Sequence, residues 1–266
     1  MKILLTNDDG VISQGIQVIS RILADKGWLS AVVAPDRERS GMGHAITVDR
    51  PVRVHPLDPG MFSAGVPAYS CDGTPTDCTV IGLEALCPSA DFVVSGINQG
   101  PNISDSVTYS GTVGAAMEGV ILGRQAVAVS LCRKPGDSFR HNMTAALAAM
   151  AVLEHVRDNP LPPGVMLNVN VPNELIKKIR GFKAAKCGRR EYTGKITYMK
   201  DPHGNDSYWI ADNTKDWRED GTDAVAISEG YISVTPIKLD MTDYALLDEM
   251  RSDRLDEKLS KSLNIA

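Results

Sequence analysis

Near its start the chain carries Ile3-Leu4-Leu5, an apolar run with no polar residue alternating through it, and the run stops at Asn7-Asp8-Asp9-Gly10. A strand with one wet face alternates in polarity. A strand that is apolar throughout is buried on both faces, and such strands belong to parallel sheets covered by helices on each side. Ile12, Ile16, Ile19 and Leu23 then recur at helical spacing, and Lys26-Gly27 closes that segment with a cation and a terminal glycine. Residues 29–34 are a second apolar run, stopped by Pro35-Asp36. Strand, helix and strand make a β-α-β unit whose crossover is expected to be right-handed.

The same rhythm continues. Thr74, Pro75 and Asp77 supply an N-cap, a first-turn proline and a first-turn carboxylate, with Val80, Ile81, Leu83 and Leu86 as the apolar side. Residues 92–95, 126–131 and 165–171 read as further buried strands. Residues 112–123 read as a helix whose glycines imply close packing against the sheet. Ser138 is placed to cap a long helix carrying Phe139, Met143, Leu147, Met150 and Leu153. After about residue 180 the rhythm stops. Segments 182–187, 195–200, 207–211 and 231–236 read as hairpin strands, and 243–263 as one amphipathic helix. The expected fold is an α/β protein with a mostly parallel sheet over residues 1–180 and a hairpin-rich extension with a terminal helix over 181–266.

Charge narrows the function. Lys and Arg number 28 against 33 Asp and Glu, a net charge of -5, which is poor for gripping a phosphate polymer along its length. A nucleic-acid duplex is therefore not an expected partner. No apolar stretch reaches the ~18 residues of a membrane span, and the N-terminus lacks the apolar core of a secretion signal, so a cytoplasmic location is expected. The five cysteines lack Cys-x-x-Cys spacing and read as reduced thiols.

The chemistry is expected where open α/β sheets bind ligands, beyond the carboxyl ends of the strands. Those loops carry Asp8 and Asp9, then Asp36 to Gly41 with Ser40, then Gly96 to Asn102 with Asn98. Two carboxylates, a hydroxyl and a carboxamide are hard oxygen donors, suited to Mg²⁺ or Mn²⁺ and wrong for structural zinc. Asp9 has a competing reading as a cap for the following helix. Ser110-Gly111-Thr112 leads straight into a helix, where free backbone N–H groups and the helix dipole suit a phosphate, although an ordinary Ser/Thr cap has the same look. Neither a Walker loop nor a dinucleotide fingerprint follows the first strand. His44 reads as a hydrogen-bonded structural histidine in preference to a general acid or base, and Arg37 and Arg39 as parts of a solvated loop.

Taken in order, Ile3 to Gly10, Ala34 to Gly41, Gly73 to Cys78, Val94 to Asn102, Tyr109 to Gly119 and Gly230 to Pro236 resemble the motif blocks of the SurE family of survival-protein, metal-dependent phosphatases, which act as 5'/3'-nucleotidases. The resemblance implies a Rossmann-like, three-layer α/β/α domain with a C-terminal β-rich extension exchanged between subunits of a homodimer or homotetramer. It implies one divalent ion per subunit on Asp8, Asp9, Ser40 and Asn98, and phosphate binding by Asn102, Ser110, Gly111 and Thr112. The expected reaction is hydrolysis of nucleoside 5'- and 3'-monophosphates, with a metal-activated water as nucleophile and Asp8 or Asp9 taking its proton; short polyphosphate stays open as a further substrate. Two other readings of the same residues are a receiver-like sensing module that binds Mg²⁺ without turnover and a sugar-nucleotide transferase. The first lacks an acceptor Asp and a distal Lys at later strand ends, and the second predicts little hydrolysis without an acceptor.

Overall fold

The computed structural model describes residues 1–266 except 64, 135, 193–195, 211–213, 217, 264 and 266. The opening run forms β1 (Ile3–Thr6), followed by α1 (Gln14–Asp25), β2 (Leu29–Pro35), the short β3 (Val54–Pro56) and β4 (Ala68–Cys71). Then come α2 (Pro75–Ile81), β5 (Phe92–Asn98), α3 (Gly111–Ile121), β6 (Gln125–Cys132), α4 (Asn142–Asp158) and β7 (Val165–Pro172). The remaining chain forms β8 (Phe182–Ala184), β9 (Arg190–Tyr192), β10 (Thr197–Lys200), β11 (Asp206–Trp209), β12 (Thr214–Asp216), α5 (Asp223–Ser228), β13 (Ile232–Lys238), α6 (Tyr244–Ser252) and α7 (Leu255–Ser262).

Nine strands make one sheet in the order β3-β4-β2-β1-β5-β6-β7-β13-β8. The pairs from β4 to β7 are all parallel, and β1 sits between β2 and β5 with Ile3 opposite Leu29 and Phe92. The chain runs outward from β1 first to one side and then to the other. The strand order therefore reverses between β1 and β5, the switch point where open α/β sheets leave a crevice.

The two faces bury two separate cores, as an apolar strand requires. Ile3 and Leu5 pack with Ile16, Ile19 and Leu23 of α1 and Leu153 of α4, whereas Leu4 packs with Cys78 of α2 and Val113, Ala116 and Val120 of α3. Each fully buried Leu or Ile contributes about 1.5–3 kcal/mol over an exposed one. Gly119 lets α3 approach β5, since a Cβ there would lie 2.7 Å from the Val93 side chain. Gly114 serves a different surface: a Cβ would lie 2.6 Å from the Gly43 carbonyl oxygen, so α3 packs there against the 43–44 backbone and away from the sheet.

Several sequence expectations change. Ile12 precedes α1 and is 75% exposed, so it does not belong to the buried stripe. Ser138 caps nothing; α4 begins at Asn142, and Met143 and Leu147 are exposed. The hairpin reading holds for β10 with β11, which pair antiparallel. It fails for the segments around 182 and 231: β13 pairs antiparallel with β7 and parallel with β8, so both strands extend the main sheet past residue 180. The single terminal helix is two, α6 and α7, separated at Arg254, whose φ of 52° breaks the helical path. Neither contains a buried residue. Among the described residues no helix is long and apolar enough to cross a membrane.

Candidate active site

The loop after β1 is held by its own polar groups. Asn7 donates from Nδ2 to the Gly10 carbonyl at 2.9 Å and to Ser13 Oγ at 2.8 Å, and Gly10 turns the chain with φ 94°. Ser13 is the N-cap residue of α1, so Asp9 is not spent on a cap. The Arg39 N–H donates to the Asp8 carbonyl at 2.7 Å and ties the loop after β2 to the loop after β1.

Asp8 is only 3% exposed. Thr112 Oγ1 donates to its Oδ1 at 2.5 Å, and the Thr112 N–H donates to it as well. Burial nevertheless pushes the Asp8 carboxyl above its ordinary value, with these hydrogen bonds opposing the shift. Asp9 rises from its ordinary 3.8 to about 7, first through burial and then through the charges of Asp8 and Glu38, while the Gln99 N–H and Arg140 pull the other way. Its Oδ2 is buried with no hydrogen-bond partner. A buried carboxylate oxygen left unpaired is costly in a folded protein, so this one marks a place where something else is to be bound.

A crevice of about 650 Å³ opens at the switch point, lined by Asp8, Ser40, Asn98, Asn102 and Ser110 together with Ser106, Tyr109, Arg190 and Ile210. The structure thus brings together most of the residues singled out in the sequence. Asp9 and Thr112 are not among its lining residues. Asn98, at the end of β5, donates from Nδ2 to the Gly100 carbonyl at 2.8 Å, which leaves its Oδ1 as an acceptor. Ser40 Oγ donates to Glu38 Oε1 at 2.8 Å, which uses its hydrogen and leaves its lone pairs. Asn102 is clamped by Asn168 and Asn170, whose Nδ2 groups reach its carbonyl at 2.7 and 2.9 Å, and its own Nδ2 donates one hydrogen to Ser130 Oγ at 2.9 Å.

At the start of α3, Ser110 Oγ accepts from the Val113 N–H at 3.1 Å as the N-cap. Gly111 lies so near Asp8 that a Cβ would come within 3.0 Å of the Asp8 Cβ. Thr112 is turned onto Asp8 by both its hydroxyl and its N–H. His44 bonds through Nε2 to Glu118 Oε2 at 2.8 Å and does not line the crevice, as the structural reading expects. Arg39 is not solvated: its guanidinium donates to Asp36 Oδ1 and to the Asp72 carbonyl. All five cysteines are free thiols.

Among the described residues no group of three or more His, Cys, Asp or Glu side chains is placed to hold a metal. A cation here would be completed by neutral oxygens, and Asp8, Asp9, Ser40 and Asn98 are an all-oxygen set of the kind that hard divalent ions take. With the unpartnered Asp9 oxygen, that set fits such an ion. A second groove, about 660 Å³, is of similar size but is lined by Ile12, Phe139 and Met143 among others and has no acidic side chain. The sequence reading missed Arg190 and Ile210 as crevice residues. The one local cue was the basic pair Arg189-Arg190 directly after Gly188.

Fold and crevice together define a doubly wound α/β protein with an acidic, oxygen-lined site at its switch point. The family model "Survival protein SurE" matches residues 3–194, and the chain belongs to the SurE family. It is 43% identical over 254 residues to the protein named 5'-nucleotidase SurE of Geobacter metallireducens, covering 95% of this chain and 97% of that one. It is 44% identical over 252 residues to the protein of the same name from Legionella pneumophila, covering 94% and 96%. The crystal structure of the SurE protein from Aquifex aeolicus superposes with a TM-score of 0.80 at 36% identity, covering 96% of this chain and all of that one.

Proposed function

We propose that this chain is a phosphoric monoester hydrolase of the 5'-nucleotidase type, which converts nucleoside monophosphates to nucleoside and phosphate and depends on Mg²⁺ or Mn²⁺. The observation that carries the reading is the buried, unpartnered Oδ2 of Asp9 directly after the buried Asp8 at the switch point. The names of the relatives support the substrate class. Asp8, Asp9, Ser40 and Asn98 would hold the divalent ion, which supplies Lewis acidity toward a phosphoryl oxygen and toward water. Thr112 orients Asp8 through its hydroxyl and N–H. Asp8 or Asp9 would take the proton of the attacking water. The Ser110 hydroxyl, the Gly111 N–H and the second N–H of Asn102 Nδ2 bind phosphoryl oxygens. Tyr109 and Ile210, 59% and 84% exposed on the crevice rim, give the nucleoside an apolar wall.

The test is inorganic phosphate release from nucleoside 5'- and 3'-monophosphates and from tripolyphosphate, with Mn²⁺, with Mg²⁺ and with EDTA. Turnover with either ion that disappears on chelation supports the reading, and the three substrates rank 5' against 3' esters and polyphosphate. Folded protein that releases no phosphate with any ion overturns it in favour of a sensing module. We further infer a homodimer or homotetramer built through residues 181–266, because α6 and α7 bury no residue of their own while exposing Leu246, Met250 and Leu259.

A further inference from the structure

From Ser104 to Thr108 the chain makes one short 3₁₀ helix and then runs directly into Tyr109 and Ser110. Ser106, Tyr109 and Ser110 all line the crevice, so the placing of this helix sets one of its walls. Its first residue, Ser104, is fully buried and has φ 55°. A residue with a Cβ adopts that left-handed backbone only at a cost, so something has to hold it there.

The hold comes from far along the chain. The Asp223 carboxylate, fully buried at the start of α5, accepts from the Ser104 N–H through Oδ2 at 2.8 Å. Its Oδ1 accepts from the Gly188 N–H at 3.0 Å and from the Ala224 N–H at 2.8 Å. The Asp223 N–H in turn donates to the Lys186 carbonyl at 2.9 Å. One carboxylate thus joins the helix that leads to Ser110 with the segment 186–188, and the Arg190 N–H adds a bond to Asp105 Oδ2 at 3.0 Å. The packing is close, since a Cβ on Gly188 would lie 2.8 Å from Ser104 Oγ.

We propose that Asp223 is a positioning residue for substrate binding: by holding Ser104 in the left-handed conformation it places Ser106, Tyr109 and Ser110 to receive the nucleoside monophosphate. The proposal rests on the nucleotidase reading above. It separates the substrate from the ion. Between Asn98 and Ser104 the chain is pinned at Asn102, whose N–H donates to Asn170 Oδ1 at 2.9 Å and whose carbonyl accepts from Asn168 and Asn170. A disturbance that starts at Ser104 therefore stops short of Asn98 and moves the substrate wall alone.

Asp223→Asn tests the bond with almost no change of shape. The amide keeps one acceptor oxygen, enough for the Gly188 and Ala224 N–H groups, and sets its own donors against the Ser104 N–H. The experiment measures kcat, KM for adenosine 5'-monophosphate and Mn²⁺ affinity for wild type, D223N, S104G and D223N/S104G. The expected result is a KM raised about 10-fold in D223N, with kcat and Mn²⁺ affinity within about 2-fold of wild type. In D223N/S104G most of the KM returns, because glycine takes the left-handed backbone without a holder, a rescue that general damage to the fold would not show. G188A disturbs Ser104 from the other side and should raise KM likewise, and S104G removes the Oγ that its methyl group meets; this pair decides the matter if D223N does not fold. An unchanged KM in folded D223N or G188A, a Mn²⁺ affinity that falls in step with KM, or no recovery with S104G overturns the proposal. If wild type itself releases no phosphate, the nucleotidase reading fails instead. Calorimetry of adenosine 5'-monophosphate on the Mn²⁺-loaded wild type and D223N then judges Asp223 by itself: weaker binding by D223N upholds the inference and equal binding overturns it.

Discussion

At the scale of single residues, Asp9 carries the strongest consequence. Its folded-state value of about 7 lies above the ordinary 3.8, so the folded protein holds this proton more tightly than the unfolded chain. Without a divalent ion, this carboxyl's contribution to stability is greatest below about pH 4, falls as pH rises toward 7 and stays low above. Asp9→Asn should therefore raise the thermal midpoint in EDTA at pH 8 and lose that advantage near pH 4; equal midpoints at pH 8 would remove the charge strain inferred here. The same variant should lose at least ~100-fold in phosphate release with its far-ultraviolet circular dichroism unchanged. Thr112→Val deletes the 2.5 Å bond to Asp8. Its buried acceptor loses a charge-assisted bond worth about 1.5–3 kcal/mol, and the expected reading is a kcat lowered roughly 10-fold with weaker divalent-ion binding in a titration. Asp8, Ser40 and Asn98 were legible as residues of this sheet edge because each lies at the end of a recognisable buried strand or in the loop that follows it. The partner role of Thr112 was not, because an N-terminal hydroxyl next to Ser110 looks the same whether it faces a ligand or a carboxylate.

At the scale of elements, local signals were read well and distant ones were not. The N-terminus of α2 has a full capping box, with Thr74 accepting from the Asp77 N–H and Asp77 accepting from the Thr74 N–H. All of its parts lie within four residues, so the sequence alone displays it. Thr74→Ala should cost about 1 kcal/mol, checked as a drop of a few degrees in thermal midpoint. The start of α4 is different. The His141 N–H donates to Asn173 Oδ1 at 2.9 Å, and Asn173 Nδ2 donates to the Phe139 carbonyl and to Asp137 Oδ2, both at 2.8 Å. A residue from beyond β7 thereby holds 137–141 out of the helix, and no local pattern around Ser138 reports it. Likewise β8 and β13 have the short polar flanks of hairpin strands, and only their partners reveal them as sheet members. The close approach of α3 to the 43–44 loop is tested by Gly114→Ala, whose methyl group would meet the Gly43 carbonyl oxygen at 2.6 Å. Relief requires backbone movement costing about 1–3 kcal/mol, and a denaturant midpoint equal to wild type would show that the loop gives way freely.

At the scale of the molecule, the α/β rhythm predicted the layers, the parallel sheet and the edge at which the site lies. It could not predict that the segment after residue 180 closes back over that edge, because Arg190 bears no periodic relation to β1 and reaches it through Asp223 and Asp105. The terminal arm is a separable element on this view. A chain ending at Leu239 should keep its thermal midpoint within a few degrees, since α6 and α7 bury nothing, and should sediment at a lower mass than the full chain. The position of β13 between β7 and β8 also has a consequence during synthesis. From Pro172 at the end of β7 to Lys238 at the end of β13 the ribosome must add 66 residues, 238 minus 172. At ~5–20 residues per second that leaves the apolar edge of β7 uncovered for roughly 3 to 13 seconds. During that interval Val169 and Val171, buried in the finished protein, sit in an edge strand that a neighbouring nascent chain can pair with. Slower translation through 173–238 should therefore raise the share of the product that aggregates before release.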